Sequence, residues 1–92
     1  MIVSDDNPNT EEVDGAIVGD VFIKPKVSYV YTFSGSLHDD WSYDRSLPIE
    51  SEVFDNDDGH CCIRLKWASN YSGQFDLSFG DYTKTIVVES LF

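Results

Sequence analysis

Between residues 60 and 67 the chain alternates with period two. Cys61, Ile63, Leu65 and Trp67 fall on one side, and Cys62, Arg64 and Lys66 on the other. Successive side chains of a β-strand point to opposite faces, so this segment reads as a strand with one dry and one wet face. The pattern recurs. Phe75, Leu77 and Phe79 alternate with Gln74, Asp76 and Ser78, and Val27, Tyr29, Tyr31 and Phe33 with Ser28, Val30 and Thr32. Near the end, Ile86 and Val88 alternate with Thr85 and Val87. An amphipathic helix would need apolar residues at three–four spacing over about 11 residues or more, and no segment supplies them.

Turn formers separate these runs. Strands are expected at 16–23 (interrupted at Gly19-Asp20), 27–33, 41–43, 49–54, 60–67, 74–79 and 82–89. Lys24-Pro25-Lys26 reads as a connection, since proline removes a ladder donor. Gly80-Asp81 reads as a two-residue, glycine-first hairpin turn. The run Asp55-Asn56-Asp57-Asp58-Gly59 has the look of a calcium loop, but the frame fails. Counted from Asp55, position 6 is His60 and position 12 is Lys66, where an EF-hand needs glycine and glutamate. Asp-Gly here marks a hairpin instead. About seven short strands joined by turns predict an all-β antiparallel sandwich or small barrel.

With 92 residues there is length for one core and not for two. A hydrophobic fraction of 41%, with 14% aromatic, excludes a disordered chain. No apolar run reaches about 18 residues, so no membrane insertion is expected. The start, Met1 to Asp6, has no basic head or apolar stretch, so an uncleaved secretory signal is not expected. Residues 1–15 read as an acidic flexible leader or linker, and 16–92 as the folded domain.

Six basic residues stand against 17 acidic ones, for a net charge of −11. Direct nucleic-acid binding is therefore not expected, because phosphates would be repelled. Residues 1–20 hold six acids and no base, which leaves −5 on the other 72 residues. The cysteines, Cys61 and Cys62, are adjacent. Neighbours on a strand point apart and cannot readily join, and no third cysteine is present. Free thiols suit folding in a reducing compartment. One thiol is expected in the core and the other at the surface. Adjacent cysteines also lack the spaced ligands of a zinc site, so no metal and no cofactor are expected.

The array resembles immunoglobulin-like and PKD-like sandwich domains. The carrying residues are Tyr29-Val30-Tyr31-Thr32-Phe33-Ser34-Gly35, Trp41-Ser42, Ile63-Arg64-Leu65-Lys66-Trp67, Ser72-Gly73-Gln74-Phe75-Asp76-Leu77-Ser78 and Thr83-Lys84-Thr85-Ile86-Val87-Val88. The likeness covers 16–92 and rests on core positions, so it bears on fold more than on function. The antibody-type disulfide is absent, and residues 44–54 match weakly. The resemblance implies an immunoglobulin-like (PKD-like) sandwich of about seven strands. It also implies the settings where such modules occur, namely tailed-phage virions and bacterial surface proteins.

No catalytic set emerges from the residues. Trp41 and Trp67 could stack on sugars, but a sandwich more often uses them as core. His38 beside Asp39 and Asp40 lacks a positioned nucleophile. Cys62 and His60 share a strand face without an oxyanion hole. Asn70-Tyr71-Ser72 fits a glycosylation sequon of low specificity. Partner contacts are expected at Leu37, Tyr43, Tyr71 and Phe92, apolar residues in or beside loops or at the chain end.

The function that follows is a non-enzymatic interaction module, in first place a virion structural or decoration domain of a capsid or tail. It would be assembled in the host cytoplasm and bind other virion proteins. Two alternatives stand beside it. One is an acidic inhibitor that mimics DNA. The other is a carbohydrate-binding adhesion module at a bacterial cell surface.

Overall fold

A computed structural model describes residues 15–89 of the chain. The leader expected over 1–15, Gly15 excepted, and the terminal Phe92 lie outside them. Among the described residues eight strands follow one another: β1 (Ile17–Val18), β2 (Phe22–Ile23), β3 (Ser28–Phe33), β4 (Trp41–Ser42), β5 (Ile49–Asp55), β6 (Cys61–Trp67), β7 (Gly73–Phe79) and β8 (Tyr82–Val88). They form two four-stranded sheets, ordered β1-β3-β6-β5 and β2-β8-β7-β4. All neighbours are antiparallel except β2 and β8, which run parallel. The order is that of an immunoglobulin-like sandwich, A-B-E-D against C-F-G, with the first strand divided between the sheets.

That division corrects the single strand expected at 16–23. Ile17 and Val18 pair with Phe33 and Thr32 of β3. Phe22 and Ile23 pair with Val87 and Val88 of β8, in the other sheet. Gly19 makes the crossing possible. A Cβ there would lie 2.3 Å from the Tyr31 ring, so only a bare backbone passes over it. The Tyr31 hydroxyl then donates to the Asp20 carbonyl at 2.7 Å.

The two sheets meet along the faces that alternation predicts. Ile63, Leu65, Trp67, Phe75, Leu77 and Phe79 are all buried, joined by Ile17, Ile23, Tyr31, Phe33, Trp41, Ile86 and Val88. Phe33 stacks on Phe79 at 4.5 Å between centroids, Trp41 tilts onto Phe79 at 4.6 Å, and Trp67 stacks on Phe75 at 6.0 Å. Such pairs contribute about 0.5–1.5 kcal/mol each beyond the area they bury. The Gly80-Asp81 turn takes the glycine-first form, with φ +57° at Gly80 and no positive φ at Asp81.

The weak strand expected at 49–54 is a full seven-residue edge. It pairs with β6 from Ile49↔Trp67 to Asp55↔Cys61. The hairpin joining them is closed by Asn56, whose side-chain oxygen accepts the Asp58 and His60 amides, each at 3.0 Å. Its apolar signal is faint because the strand facing it, β4, has two residues. Val53 therefore points to the inner side yet stays 63% exposed.

The expectation for the two thiols is half right. Cys61 faces the core. Cys62 faces outward, but it too is buried, at 1% exposure. Its register neighbours are Thr32 and Phe54. The Thr32 hydroxyl lies 3.4 Å from its sulfur, and the Arg64 guanidinium folds over the Phe54 ring at 5.1 Å. Glu52 holds Arg64 in that position through an ion pair. A small patch of the wet face is thus roofed over.

Candidate functional site

The strand directions sort the loops between two poles. Strand β3 ends at one pole, and the β3–β4 loop, the β5–β6 hairpin and the β7–β8 turn lie there with it. The β6–β7 loop and the start of β3 lie at the other. At the first pole three chemically distinct donors converge. Asp55 closes β5 and Cys61 opens β6, directly opposite each other in the register and on the inner side of the sheet. His38 reaches them from the β3–β4 loop. A ring nitrogen of His38, a carboxylate oxygen of Asp55 and the Cys61 sulfur all lie within 4.8 Å of one another. Sγ of Cys61 lies 3.3 Å from Nδ1 of His38.

Cys61 is 6% exposed, whereas His38 and Asp55 are open to solvent. Burial pushes the Cys61 thiol above its ordinary pKa, and the nearby Asp55 and Cys62 add to the rise. The backbone amide of Asp39 acts in the opposite direction. The protonated thiol is thereby favoured, the reverse of what an activated nucleophile needs. The Asp55 carboxylate lies within 4.8 Å of both the thiol and the imidazole, with no hydrogen bond to the ring that would orient it as a base. The trio is a set of donors around a common point and does not have the geometry of a catalytic relay.

Sequence reasoning placed the histidines differently. The His60 ring nitrogen Nδ1 lies 3.0 Å from the Gly35 carbonyl, and Cys62 approaches only the His60 backbone. His38 pairs with neither Asp39 nor Asp40. The Asp39 side chain accepts the Asp40 amide at 2.8 Å. What could have joined His38 to Cys61 is topology. In an A-B-E-D sheet the loop leaving strand B passes the start of strand E.

Among the described residues, the expected contacts Leu37, Tyr43 and Tyr71 do not come together. Leu37, 47% exposed, lies in the loop of the first pole, and Tyr71, 79% exposed, in the loop of the opposite pole. Tyr43 lies on the flank between them, half-buried. Its hydroxyl is 2.7 Å from that of Ser51, and Arg45 covers its ring at 4.2 Å. Both tryptophans are core: each is 5% exposed. The Trp67 indole donates to the Tyr71 carbonyl at 2.8 Å, which fixes the loop that presents the Tyr71 ring. A shallow depression on the outer sheet face is lined by Ser28, Glu50, Glu52, Arg64 and Lys66 among others. It is open and charged.

No protein-family model matches this chain, and no curated protein matches it. Solved structures do. The crystal structure of the S-layer protein rSbsC(31-844) superposes with a TM-score of 0.51 at 11% identity, over 98% of this chain and 14% of that one. A crystal structure of SbsC domains 4 and 5 superposes with a TM-score of 0.49 at 12% identity, over 99% of this chain and 57% of that one. The first likeness is one of fold. This chain spans about a seventh of the S-layer chain it resembles.

Proposed function

We propose that the chain is a non-enzymatic structural module of a bacterial surface protein or layer, holding protein neighbours at its two poles. The observation that carries this reading is the path of the backbone. Gly15 and Ala16 lie beside the end of β3, at the pole of Leu37, where Ser34 donates to the Ala16 carbonyl. Glu89 lies at the opposite pole, where its amide donates to the Ile23 carbonyl and Val88 pairs with Gly73 beside the Tyr71 loop. A module entered at one pole and left at the other can be strung in a row, with an exposed apolar side chain at each junction. The fold shared with one part of a long S-layer chain supports the same arrangement.

A virion shell is the second setting, favoured by the two free, buried thiols. Thiols without a disulfide suit a part that folds in a reducing host cytoplasm. Proteolysis of intact source cells separates the two. A surface module is digested by protease added outside the cell and fractionates with the envelope. Recovery only in purified particles supports the virion setting. Confinement to the soluble cell interior, untouched by external protease and absent from particles, overturns both.

A further inference from the structure

We propose that His38, Asp55 and Cys61 form a site for a zinc-type divalent cation, with three protein ligands and a fourth position open to solvent. The donors come from three segments, the β3–β4 loop, the end of β5 and the start of β6, and they meet at one point. Zinc binds thiolate sulfur at about 2.3 Å and imidazole nitrogen at about 2.0–2.1 Å, so the tetrahedral edge between them is about 3.6 Å. The Sγ to Nδ1 distance here is 3.3 Å. The longest separation in the trio, 4.8 Å at most, involves the exposed side chains of His38 or Asp55, which are free to close by rotamer adjustment.

The chemistry selects the ion. Sulfur, nitrogen and a single carboxylate suit zinc or cobalt(II), whereas calcium and magnesium take oxygen ligands. Simple packing accounts poorly for the group. A thiol that served only the core would need no imidazole and no carboxylate at its sulfur, and the neighbouring Cys62 has neither. Binding joins the metal to the Cys61 thiolate, to a neutral His38 nitrogen and to an Asp55 oxygen, and the thiol proton leaves to solvent. The ion would tie the β3–β4 loop to the β5–β6 pair at the pole where Leu37 is displayed. The inference does not depend on where the module resides.

Cobalt(II) added to the reduced full chain tests this. The expected result is a one-to-one complex with a thiolate-to-cobalt charge-transfer band and the strong visible absorption of a four-coordinate ion, both abolished by zinc. Cys61→Ala should remove the charge-transfer band, and His38→Ala should weaken binding at least about tenfold, the scale reached even by loss of an outer partner. Cys62→Ala should keep the band. Because His38 is exposed, its variant retains the fold, which circular dichroism verifies. Zinc should raise the melting temperature of the parent chain, and that of His38→Ala by less at the same zinc concentration. Failure to take up cobalt at a few molar equivalents overturns the site. So does uptake without a thiolate band, or a band that survives Cys61→Ala.

Discussion

Tyr31→Phe removes one hydroxyl that acts in two ways, and the two act oppositely with pH. The side chain is fully buried, and its hydroxyl donates to the Asp20 carbonyl at 2.7 Å. A neutral hydrogen bond of this kind is worth about 0.5–1.5 kcal/mol net. Asp20 is exposed, so its carbonyl can turn to water when the donor is lost, and the cost at pH 8 should be about 1 kcal/mol. Ionisation reverses the balance. Burial, then the charges of Asp20 and Tyr29, pushes the Tyr31 phenol well above its ordinary pKa. A raised folded-state value means that above about pH 10 the unfolded chain releases this proton while the folded chain retains it. Stability then falls by up to about 1.4 kcal/mol per pH unit. Phenylalanine has no such proton. Urea denaturation at pH 8 and pH 11 reads both effects, and titration common to the two chains cancels in their difference. The variant should be less stable at pH 8 and should draw level with the parent, or pass it, by pH 11. A deficit of the same size at both values would refute the burial argument.

Leu77 is fully buried between the two sheets, and Leu77→Ala should cost about 2–5 kcal/mol by urea denaturation. A loss below about 1 kcal/mol would mean that the sheets do not close over it. Gly19→Ala would set a methyl 2.3 Å from a ring that is itself pinned through its hydroxyl, for a loss of about 1–3 kcal/mol. Gly59→Ala is the comparison, since its φ is +82° but its Cβ meets open space. Equal losses at the two positions would show that backbone conformation, and not the close approach, makes Gly19 necessary.

Where side chains alternate strictly, as in β6 and β7, the sequence alone leads to the correct face for every core residue. Both strands lie inside their sheets, so burial and pattern coincide. Legibility fails where position depends on distant partners. The residues of β5 look indifferent because an edge strand opposite a two-residue neighbour has little to bury. Cys62 reads as a surface thiol because nothing local reveals that Phe54 and Arg64, from the hairpin and its own strand, close above it. The split of the first strand is marked only by Gly19, whose necessity lies in a ring twelve residues on. The His38–Asp55–Cys61 cluster is the extreme case. Its members are individually unremarkable, and only the convergence of three segments at one pole gives them a common function.

The route from pole to pole also decides how the domain bears load. Tension applied between Gly15 and Glu89 draws β2 toward one end and β8 toward the other. These two strands lie parallel, joined where Val87 donates to the Val21 carbonyl at 2.7 Å and Glu89 to the Ile23 carbonyl at 2.8 Å. Pulled this way, the bonds slide past each other together and cannot be peeled apart singly. One of the two shortest pairings in the second sheet is therefore the one that would resist stretching first.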